Sequence, residues 1–386
     1  MLLLKNVCYL SADWEFARGD ILVDDGKITD IAVDINPLEG WEVINLDGYK
    51  AIPGLIDIHT HGAVGYDVMT ASVNQFVELS RYLATTGTTA FLPATTTSEH
   101  ESIKKALKTI REISHLEYEG ALIEGVHIEG PYINVKQKGC HEACLIKPPC
   151  IEEYEEFRKT LGEDLKMHIT VAPELDGALD FIKHAKSRGS SLSLGHSDAN
   201  SDILREALKS GASCFTHLFN AMKGIHHREP GVAGTALVEN AYVEIICDGV
   251  HVHPDIVKLV YMIKGSDSIV LVTDAMQAAG LGDGKYNFCG DEIKVINGVA
   301  RKEDGSLAGS TLTLLEAVRN FSQFTGASFE ATVKMACSNP ARVIGTESIT
   351  GSIETGKRAD IVVLSRSMEI EMVFCRGRLV YKRNKV

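Results

Sequence analysis

The chain has 386 residues, 45% of them hydrophobic, and a net charge of −13 at neutral pH. This length can bury a large core and predicts one big domain with an accessory domain, or two domains. The acidic balance argues against nucleic acid and anionic membranes as partners, although a small anionic substrate would need only a local basic pocket.

The sequence predicts a cytoplasmic protein. No apolar run approaches the roughly 20 residues that cross a bilayer, so we expect no membrane association. The N-terminal segment has neither the basic region nor the small-residue cleavage site of a signal peptide. The nine cysteines are scattered and odd in number, which is typical of reduced thiols rather than of a disulfide framework.

Eight short runs rich in Val, Ile, Leu, Thr and Phe follow one another along most of the chain. They are 49–59, 87–95, 121–130, 166–174, 190–196, 212–220, 241–249 and 267–275. Such near-continuous apolar runs are typical of strands buried on both faces. The segments between them, such as 72–87, 176–189 and 198–211, have apolar residues at helical spacing and end on glycine. The alternation predicts a (β/α)8 barrel of the α/β class, in which eight parallel strands close on one another.

The two ends of the chain have a different pattern. Residues 1–48 and the C-terminal tail are β-rich with glycine turns, and neither end is long enough for a stable sandwich alone. We therefore expect both ends to form one small flanking β-sandwich domain, 1–53 and 346–386, with the barrel inserted as 54–345.

Polar residues recur where the predicted barrel strands end, which is where (β/α)8 barrels carry their chemistry. In "GLIDIHTHG" the first strand ends on His59 and His61, which share one face because side chains alternate along a strand. Four further strands end on Glu129, His196, His217 and Asp274. Six such groups at one rim would be electrostatically costly without a cation, so the sequence predicts a divalent metal site.

The number and kind of ions stay open at this point. Three of these ligands suffice for one catalytic zinc with an open position, whereas four histidines and Glu129 could hold two ions bridged by the Glu129 carboxylate. Zinc, iron and manganese all fit imidazole or carboxylate ligands. Asp274 is the candidate general base, because a carboxylate there could take a proton from an attacking water and pass it to a departing amine. This chemistry predicts hydrolysis of an amide.

A second group of possible ligands lies in "CHEACLIKPPC", which contains Cys140, His141, Cys144 and Cys150. Structural zinc sites use closely spaced pairs and a second pair elsewhere in the chain. No second pair follows, so the sequence favours an ordinary loop with thiols.

Motifs along nearly the whole length resemble the amidohydrolase superfamily, in particular its branch that acts on 6-phosphorylated amino sugars. They are "PGLIDIHTHG", "GVHIEGPYI", "LGHSDA", "FTHLFNAM", "HREPGVAG", "DGVHVHP", "LVTDAM" and "LAGSTLTL". The resemblance implies a barrel with a flanking β-sandwich, a homodimer, and one or two divalent ions per subunit. It also implies hydrolysis of N-acetyl-D-glucosamine 6-phosphate to D-glucosamine 6-phosphate and acetate, in amino-sugar catabolism and cell-wall sugar recycling.

The same resemblance implies roles for individual residues. Glu129, His196 and His217 match the principal metal ligands, His59 and His61 match a second pair, and Asp274 matches the acid/base residue. Expected substrate contacts are Cys140, His141, Asn220, Ala221, His251, Leu307, Ala308 and Gly309, with His141 able to polarise the acetyl carbonyl. Arg228 matches an arginine that reaches the phosphate bound by the neighbouring subunit. Cys140 departs from the small residue expected at its position, and no asparagine follows His141, which leaves the fine substrate preference open.

Two other functions are compatible with parts of this pattern. Another amidohydrolase, such as a dihydroorotase-like or D-aminoacylase-like enzyme, would share the metal residues but would have no use for "HREPG". A non-catalytic scaffold on the same fold would have lost metal ligands that are complete here. The sequence does not separate the glucosamine substrate from its galactosamine epimer, because loop geometry recognises the orientation of one hydroxyl.

Overall fold

The computed structural model describes residues 1–384, and the chain begins with five strands of a flanking sheet. These are β1 (Leu2–Leu10), β2 (Phe16–Asp24), β3 (Lys27–Ala32), β4 (Glu42–Asn45) and β5 (Lys50–Pro53). β1, β2 and β3 pair antiparallel in chain order, while β4 and β5 run parallel to β1.

Eight parallel strands then form the barrel. They are β6 (Leu55–Thr60), β9 (Thr88–Thr95), β11 (Gly125–Glu129), β12 (Lys166–Val171), β13 (Ser191–Leu194), β14 (Cys214–Phe215), β15 (Tyr242–Ile246) and β16 (Ile269–Val272). The short strands between them are β7 (Gly62–Ala63) and β8 (Tyr66–Asp67), which form a hairpin, and β10 (Leu122–Ile123), which pairs with β9.

The barrel closes between its last and first strands. Each strand pairs parallel with the next from β6 to β16. The ring is completed by hydrogen bonds from His61 N–H to the Ala275 carbonyl (2.7 Å) and from Asp274 N–H to the His59 carbonyl (2.8 Å). Each of the eight strands overlaps one predicted run, and the predicted (β/α)8 barrel is confirmed. The first run, 49–59, contains two strands, because β5 belongs to the flanking sheet and β6 to the barrel.

Helices cover the outside of the barrel. They are α1 (Val73–Thr85), α2 (His100–Ser114), α3 (Ile151–Leu161), α4 (Ala178–Ser187), α5 (Ser201–Ser210), α6 (Gly231–Val238), α7 (Pro254–Lys264), α8 (Leu314–Thr325), α9 (Phe329–Ala336) and α10 (Ser338–Ile344). α5 illustrates how the sequence sets their limits: the Asn200 side chain accepts a hydrogen bond from Ile203 N–H (3.0 Å) at its start, and Gly211 ends it. Among residues 1–384, no helix is both long and apolar enough to cross a membrane.

A separate small sheet between β16 and α8 was not predicted. Its strands are β17 (Gly284–Phe288), β18 (Asp291–Ile296) and β19 (Val299–Arg301), which pair antiparallel in chain order and form a sheet of their own. Phe288, Ile293 and Val295 bury their side chains against Met276 and Ala308 in a small core. This insertion lies beside the C-terminal rim of the barrel and places Phe288 near the site described below.

The last three strands return to the flanking sheet. They are β20 (Ile361–Leu364), β21 (Ile370–Cys375) and β22 (Arg378–Lys382), and β20 pairs antiparallel with β5. The two chain ends therefore meet in one sheet with its own core, formed by residues such as Leu4, Ile21 and Phe374. The predicted fold class, a barrel with a flanking β domain built from both ends, is confirmed, while the residue limits 1–53, 346–386 and 54–345 stay a prediction.

Candidate metal centre and active site

The six predicted metal residues meet at the C-terminal rim of the barrel. His59, His61 and Glu129 lie at the ends of β6 and β11, and His196, His217 and Asp274 each follow a strand end by two residues. The last three have positive φ angles of 48°, 28° and 49°. This left-handed backbone is unfavourable for residues other than glycine and is concentrated at functional sites. It turns the chain out of the strand direction where each of these side chains joins the cluster.

Three ligand atoms form a compact first group. Nε2 of His196 and Nε2 of His217 lie 3.0 Å apart, and Oε1 of Glu129 is 3.1 Å and 3.0 Å from them. Ligands about 2.1 Å from a tetrahedral zinc are separated by ~3.4 Å. A slight expansion of the triangle would therefore accommodate one ion.

A second group lies beside the first. Nε2 of His61 is 3.2 Å from Nε2 of His59 and 3.3 Å from Oδ1 of Asp274. Its distance to Oε2 of Glu129 is 3.1 Å. Oε1 of Glu129 faces the first group and also lies 3.4 Å from Nε2 of His59, so the Glu129 carboxylate contacts both groups, as a bridging ligand requires.

The chemistry of the rings fits a cation at these positions. Burial lowers the pKa of His196 to about 4, and its Nδ1–H donates to the Gln137 carbonyl (2.8 Å). The Nε2 lone pair of this neutral ring therefore faces a carboxylate oxygen, and two acceptors repel unless a positive charge lies between them. Burial opposes protonation of His61, but Asp274 and Glu129 raise its pKa to about 10, so the second group also attracts positive charge. A divalent ion in either group would satisfy these requirements.

His141 has a different role from the other histidines in the cluster. Its Nδ1 accepts a hydrogen bond from Thr97 N–H at 3.1 Å. The neutral ring must then carry its hydrogen on Nε2, which lies 3.3 Å from Oε2 of Glu129. A protonated nitrogen cannot bind a metal. Although its position would allow His141 to join a metal-binding group with Glu129 and His196, its hydrogen bonding makes it a donor.

A cavity of about 210 Å³ opens onto the cluster. All the predicted metal residues except His59 line this cavity. The predicted substrate contacts that also line it are Cys140, His141, Asn220, Ala221, His251, Leu307 and Gly309. The His251 ring is held by Nδ1–H donation to Asp248 (2.6 Å), which leaves Nε2 free for a ligand. His59 is fully buried behind this surface, and Ala308 packs into the core of the inserted sheet instead.

Arg228 does not lie in this cavity. Its side chain is exposed, with Nη1 2.7 Å from Nε2 of His227. Among the described residues, neither lysine nor arginine lines the cavity. A lysine or arginine that binds a phosphate group there would have to come from outside these lining residues.

The cysteines of the loop after β11 do not form a zinc site. Sγ of Cys140 lies 3.3 Å from Sγ of Cys289 on the β17–β18 turn. The thiols of Cys144 and Cys150 instead donate to the carboxylates of Glu142 and Glu152. The expectation of an ordinary loop with thiols stays a prediction.

Sequence reasoning missed several residues of the site. Gly139 and Phe288 line the cavity, and the Phe288 ring centroid is 5.2 Å from that of His61. Glu244, inside the barrel on β15, accepts a hydrogen bond from His59. The only sequence signal for Glu244 was a single acidic residue within an apolar run.

Comparison with known proteins places this site in a family. Residues 51–380 match the amidohydrolase family. The chain belongs to this family. The prediction of an amidohydrolase enzyme is confirmed. This family relationship disfavours the alternative that the chain is a non-catalytic scaffold on the same fold.

Several relatives act on phosphorylated amino sugars according to their names. The chain is 38% identical to N-acetylglucosamine-6-phosphate deacetylase of Bacillus subtilis over 386 residues, covering 98% of this chain and 97% of the relative. It is also 38% identical to N-acetylgalactosamine-6-phosphate deacetylase of Escherichia coli O157:H7 over 338 residues, covering 87% and 89%. A solved structure of a mutant N-acetyl-D-glucosamine-6-phosphate deacetylase from Mycobacterium smegmatis, in complex with N-acetyl-D-glucosamine-6-phosphate, is similar with a TM-score of 0.89. That structure is 29% identical in sequence, and the similarity covers 98% of this chain and 99% of the other.

Proposed function

We propose that this protein hydrolyses the N-acetyl group of N-acetyl-D-glucosamine 6-phosphate to D-glucosamine 6-phosphate and acetate. One observation supports this most: a single cavity contains the metal-ligand cluster, the Asp274 carboxylate and the Nε2–H donor of His141. These groups can activate a nucleophile, transfer a proton and stabilise an oxyanion, which are the requirements of amide hydrolysis. The names of the relatives supply the substrate class.

Asp274 carries the proton in this reaction. Burial opposes its ionisation, but the imidazoles of His59 and His61 lower the pKa of its carboxyl group, so that it is ionised near neutral pH. The carboxylate takes a proton from the attacking water while the water oxygen bonds to the acetyl carbon. When the carbon–nitrogen bond breaks, the same group returns the proton to the amine nitrogen, and acetate leaves.

His141 stabilises the charge that develops on the acetyl oxygen. Because Thr97 fixes the ring with its hydrogen on Nε2, the donor is oriented before substrate arrives and does not need to reorganise during the reaction. His251, held by Asp248, and Asn220 are available on the cavity wall to contact the sugar hydroxyls.

We propose one or two divalent ions per subunit, of zinc, iron or manganese. The first would be held by Glu129, His196 and His217, and the second by His59, His61 and Asp274, with Glu129 between them. When bound, such an ion acts as a Lewis acid that polarises carbonyl groups and makes water a competent nucleophile near neutral pH.

We propose that phosphate recognition requires a homodimer in which Arg228 reaches the site of the partner subunit. Among the described residues, the cavity wall has neither lysine nor arginine, whereas Arg228 is exposed outside it. Ile225, in the same loop, is 55% exposed, and Met262 on α7 is 75% exposed. Because α7 packs beside α6, which begins just after the Arg228 loop, these apolar side chains provide a surface that a second copy could cover.

A cytoplasmic location stays a proposal that rests on the nine free thiols.

N-acetyl-D-galactosamine 6-phosphate is the second candidate substrate, because the chain is as similar to a relative named for that sugar. Acetate release should be measured with both 6-phosphorylated epimers and with unphosphorylated N-acetylglucosamine. We expect the highest kcat/KM with N-acetyl-D-glucosamine 6-phosphate. A preference for the galactosamine epimer would change the substrate but keep the reaction, whereas a preference for unphosphorylated amides would contradict the proposed function.

A further inference from the structure

Glu244 is an ionisable residue inside the barrel, below the metal cluster. It lies on β15, and its side chain is fully buried. Burying a carboxylate is unfavourable unless hydrogen bonds compensate it, and an apolar residue of similar size often stabilises such a position equally well. The neighbouring residues of β15 are buried and mostly apolar. Core packing alone therefore does not explain why a carboxylate occupies this position.

One oxygen of Glu244 contacts both groups of metal ligands. Oε2 lies 3.3 Å from Nδ1 of His59 and accepts a hydrogen bond from the backbone N–H of His217 at 3.2 Å. His59 lies on β6, the first barrel strand, and belongs to the second ligand group. His217 follows β14, much later in the chain, and belongs to the first ligand group. Glu244 thus fixes one ligand by its ring and the other by its backbone.

The contact with Nδ1 determines which nitrogen of His59 faces the metal position. Next to a carboxylate, Nδ1 carries the hydrogen, so that Nε2 presents its lone pair toward His61 and Asp274. The ring of His127 stands edge-on to that of His59, with centroids 4.2 Å apart, and restricts its rotation. Glu244 itself lies on the Nδ1 side, away from the ligand atoms, and is not a ligand.

The other oxygen of Glu244 is occupied as well. Oε1 lies 3.2 Å from Nε2 of His168, and Nδ1 of His168 is 2.8 Å from the Ser191 hydroxyl. His168 therefore orients the carboxylate from the far side without touching the metal cluster. This chain from Ser191 through His168 and Glu244 to His59 has the form of the carboxylate–histidine supports that hold metal ligands in place.

We propose that Glu244 is a positioning residue for the second metal ion: it orients His59 and increases the basicity of its Nε2. This inference rests on the proposed two-ion centre. It implies that loss of the Glu244 charge weakens the second ion more than the first, because Glu244 contacts the ring of the ligand His59 but only the backbone N–H of His217. Outer-shell partners of this kind typically change metal affinity by about 10- to 100-fold.

The test measures zinc binding rather than activity. Metal-free wild-type protein and the variants Glu244→Gln and Glu244→Leu are titrated with zinc against a chromophoric chelator, and zinc per subunit is counted by mass spectrometry. We expect two sites in the wild type. We expect the zinc affinity of the second site to fall by about 10-fold or more in Glu244→Gln, with a larger loss in Glu244→Leu, and the affinity of the first site to fall less in both variants.

His168→Gln is the comparison variant: it removes a partner of the Glu244 carboxylate but keeps the carboxylate beside His59, so the second site should lose less zinc affinity than in Glu244→Gln. This variant should retain two ions, and circular dichroism of the metal-free proteins should report the native fold. Equal zinc affinities of the second site in wild type and Glu244→Gln would overturn the inference even if Glu244→Leu failed to fold. A wild type with one ion would overturn it together with the two-ion centre, whereas a lack of deacetylation by protein with two ions would contradict only the proposed function.

Discussion

The backbone N–H of Thr97 donates a hydrogen bond to Nδ1 of His141 at 3.1 Å. This contact separates His141 from the four histidines that offer a lone pair to the cluster, because it fixes the hydrogen of the neutral ring on Nε2. The residue that we propose for oxyanion stabilisation therefore differs from the other histidines because of a backbone group on a neighbouring loop.

His141→Asn should lower kcat by about 10²–10³-fold, which is typical for removal of one oxyanion donor. We expect the zinc content to stay at the wild-type value, because His141 is not a ligand. Steady-state kinetics with metal analysis of the same samples checks both parts. Loss of one ion from this variant would instead identify His141 as a ligand.

Replacing both His59 and His61 by Asn should remove the second ion and leave the first. The first group, formed by Glu129, His196 and His217, makes its closest contacts without them. The metal content measured for this variant should therefore decrease from two ions to one per subunit. His196→Asn is the comparison variant, since it should weaken the first ion. A wild-type protein that is fully active with one ion would contradict the two-ion form.

Asp274→Asn should retain substrate binding and lose turnover by more than the 10²–10⁴-fold typical of a general acid–base group, because one residue serves two proton transfers. Asparagine keeps the shape of aspartate but cannot accept the proton. Single-turnover acetate release measures the chemical step, and equilibrium binding of the substrate is the control. Nearly normal turnover would place the proton transfer on another group.

Arg228→Ala should raise KM for the phosphorylated sugar by roughly 10- to 100-fold, since a charge-assisted hydrogen bond contributes about 1.5–3 kcal/mol. Turnover of unphosphorylated N-acetylglucosamine should change little. Lys138→Ala is the matched control: Lys138 lies in a neighbouring cavity of about 280 Å³ that shares Cys140 and His141, and its Nζ contacts the His141 carbonyl. A larger phosphate-specific effect of Lys138→Ala would assign phosphate binding to that lysine.

Mixing Asp274→Asn subunits with Arg228→Ala subunits tests the position of Arg228 in a dimer. Each variant alone should be nearly inactive at low substrate concentration. A heterodimer contains one site with an intact base and an arginine from the partner, so activity should partly recover. Activity that does not recover after subunit exchange, verified by native mass spectrometry, would place Arg228 in its own subunit's site or outside any site.

The residue pattern along the chain was enough to predict the barrel and most of the residues of its rim. Most of the eight apolar runs are typical of strands buried on both faces, and parallel strands bring their C-terminal ends to one rim. This is why His61, Glu129 and His217 could be grouped from positions far apart in the chain. The small sheet at 284–301 was missed, although "ING" at 296–298 is a turn signal, because its strands are short and largely exposed, and the alternation of buried and exposed residues in β18 covers only a few positions.

Which groups face one another inside that rim depends on contacts that form only in the folded chain. The tautomer of His141 depends on Thr97, 44 residues away, and the orientation of His59 depends on Glu244, 185 residues away. A hydrogen bond of this kind is a property of two side chains or loops in contact, and no periodicity along the chain encodes it. The sequence therefore specified the atoms that can bind a metal or move a proton, while packing assigned each of them its direction and protonation state.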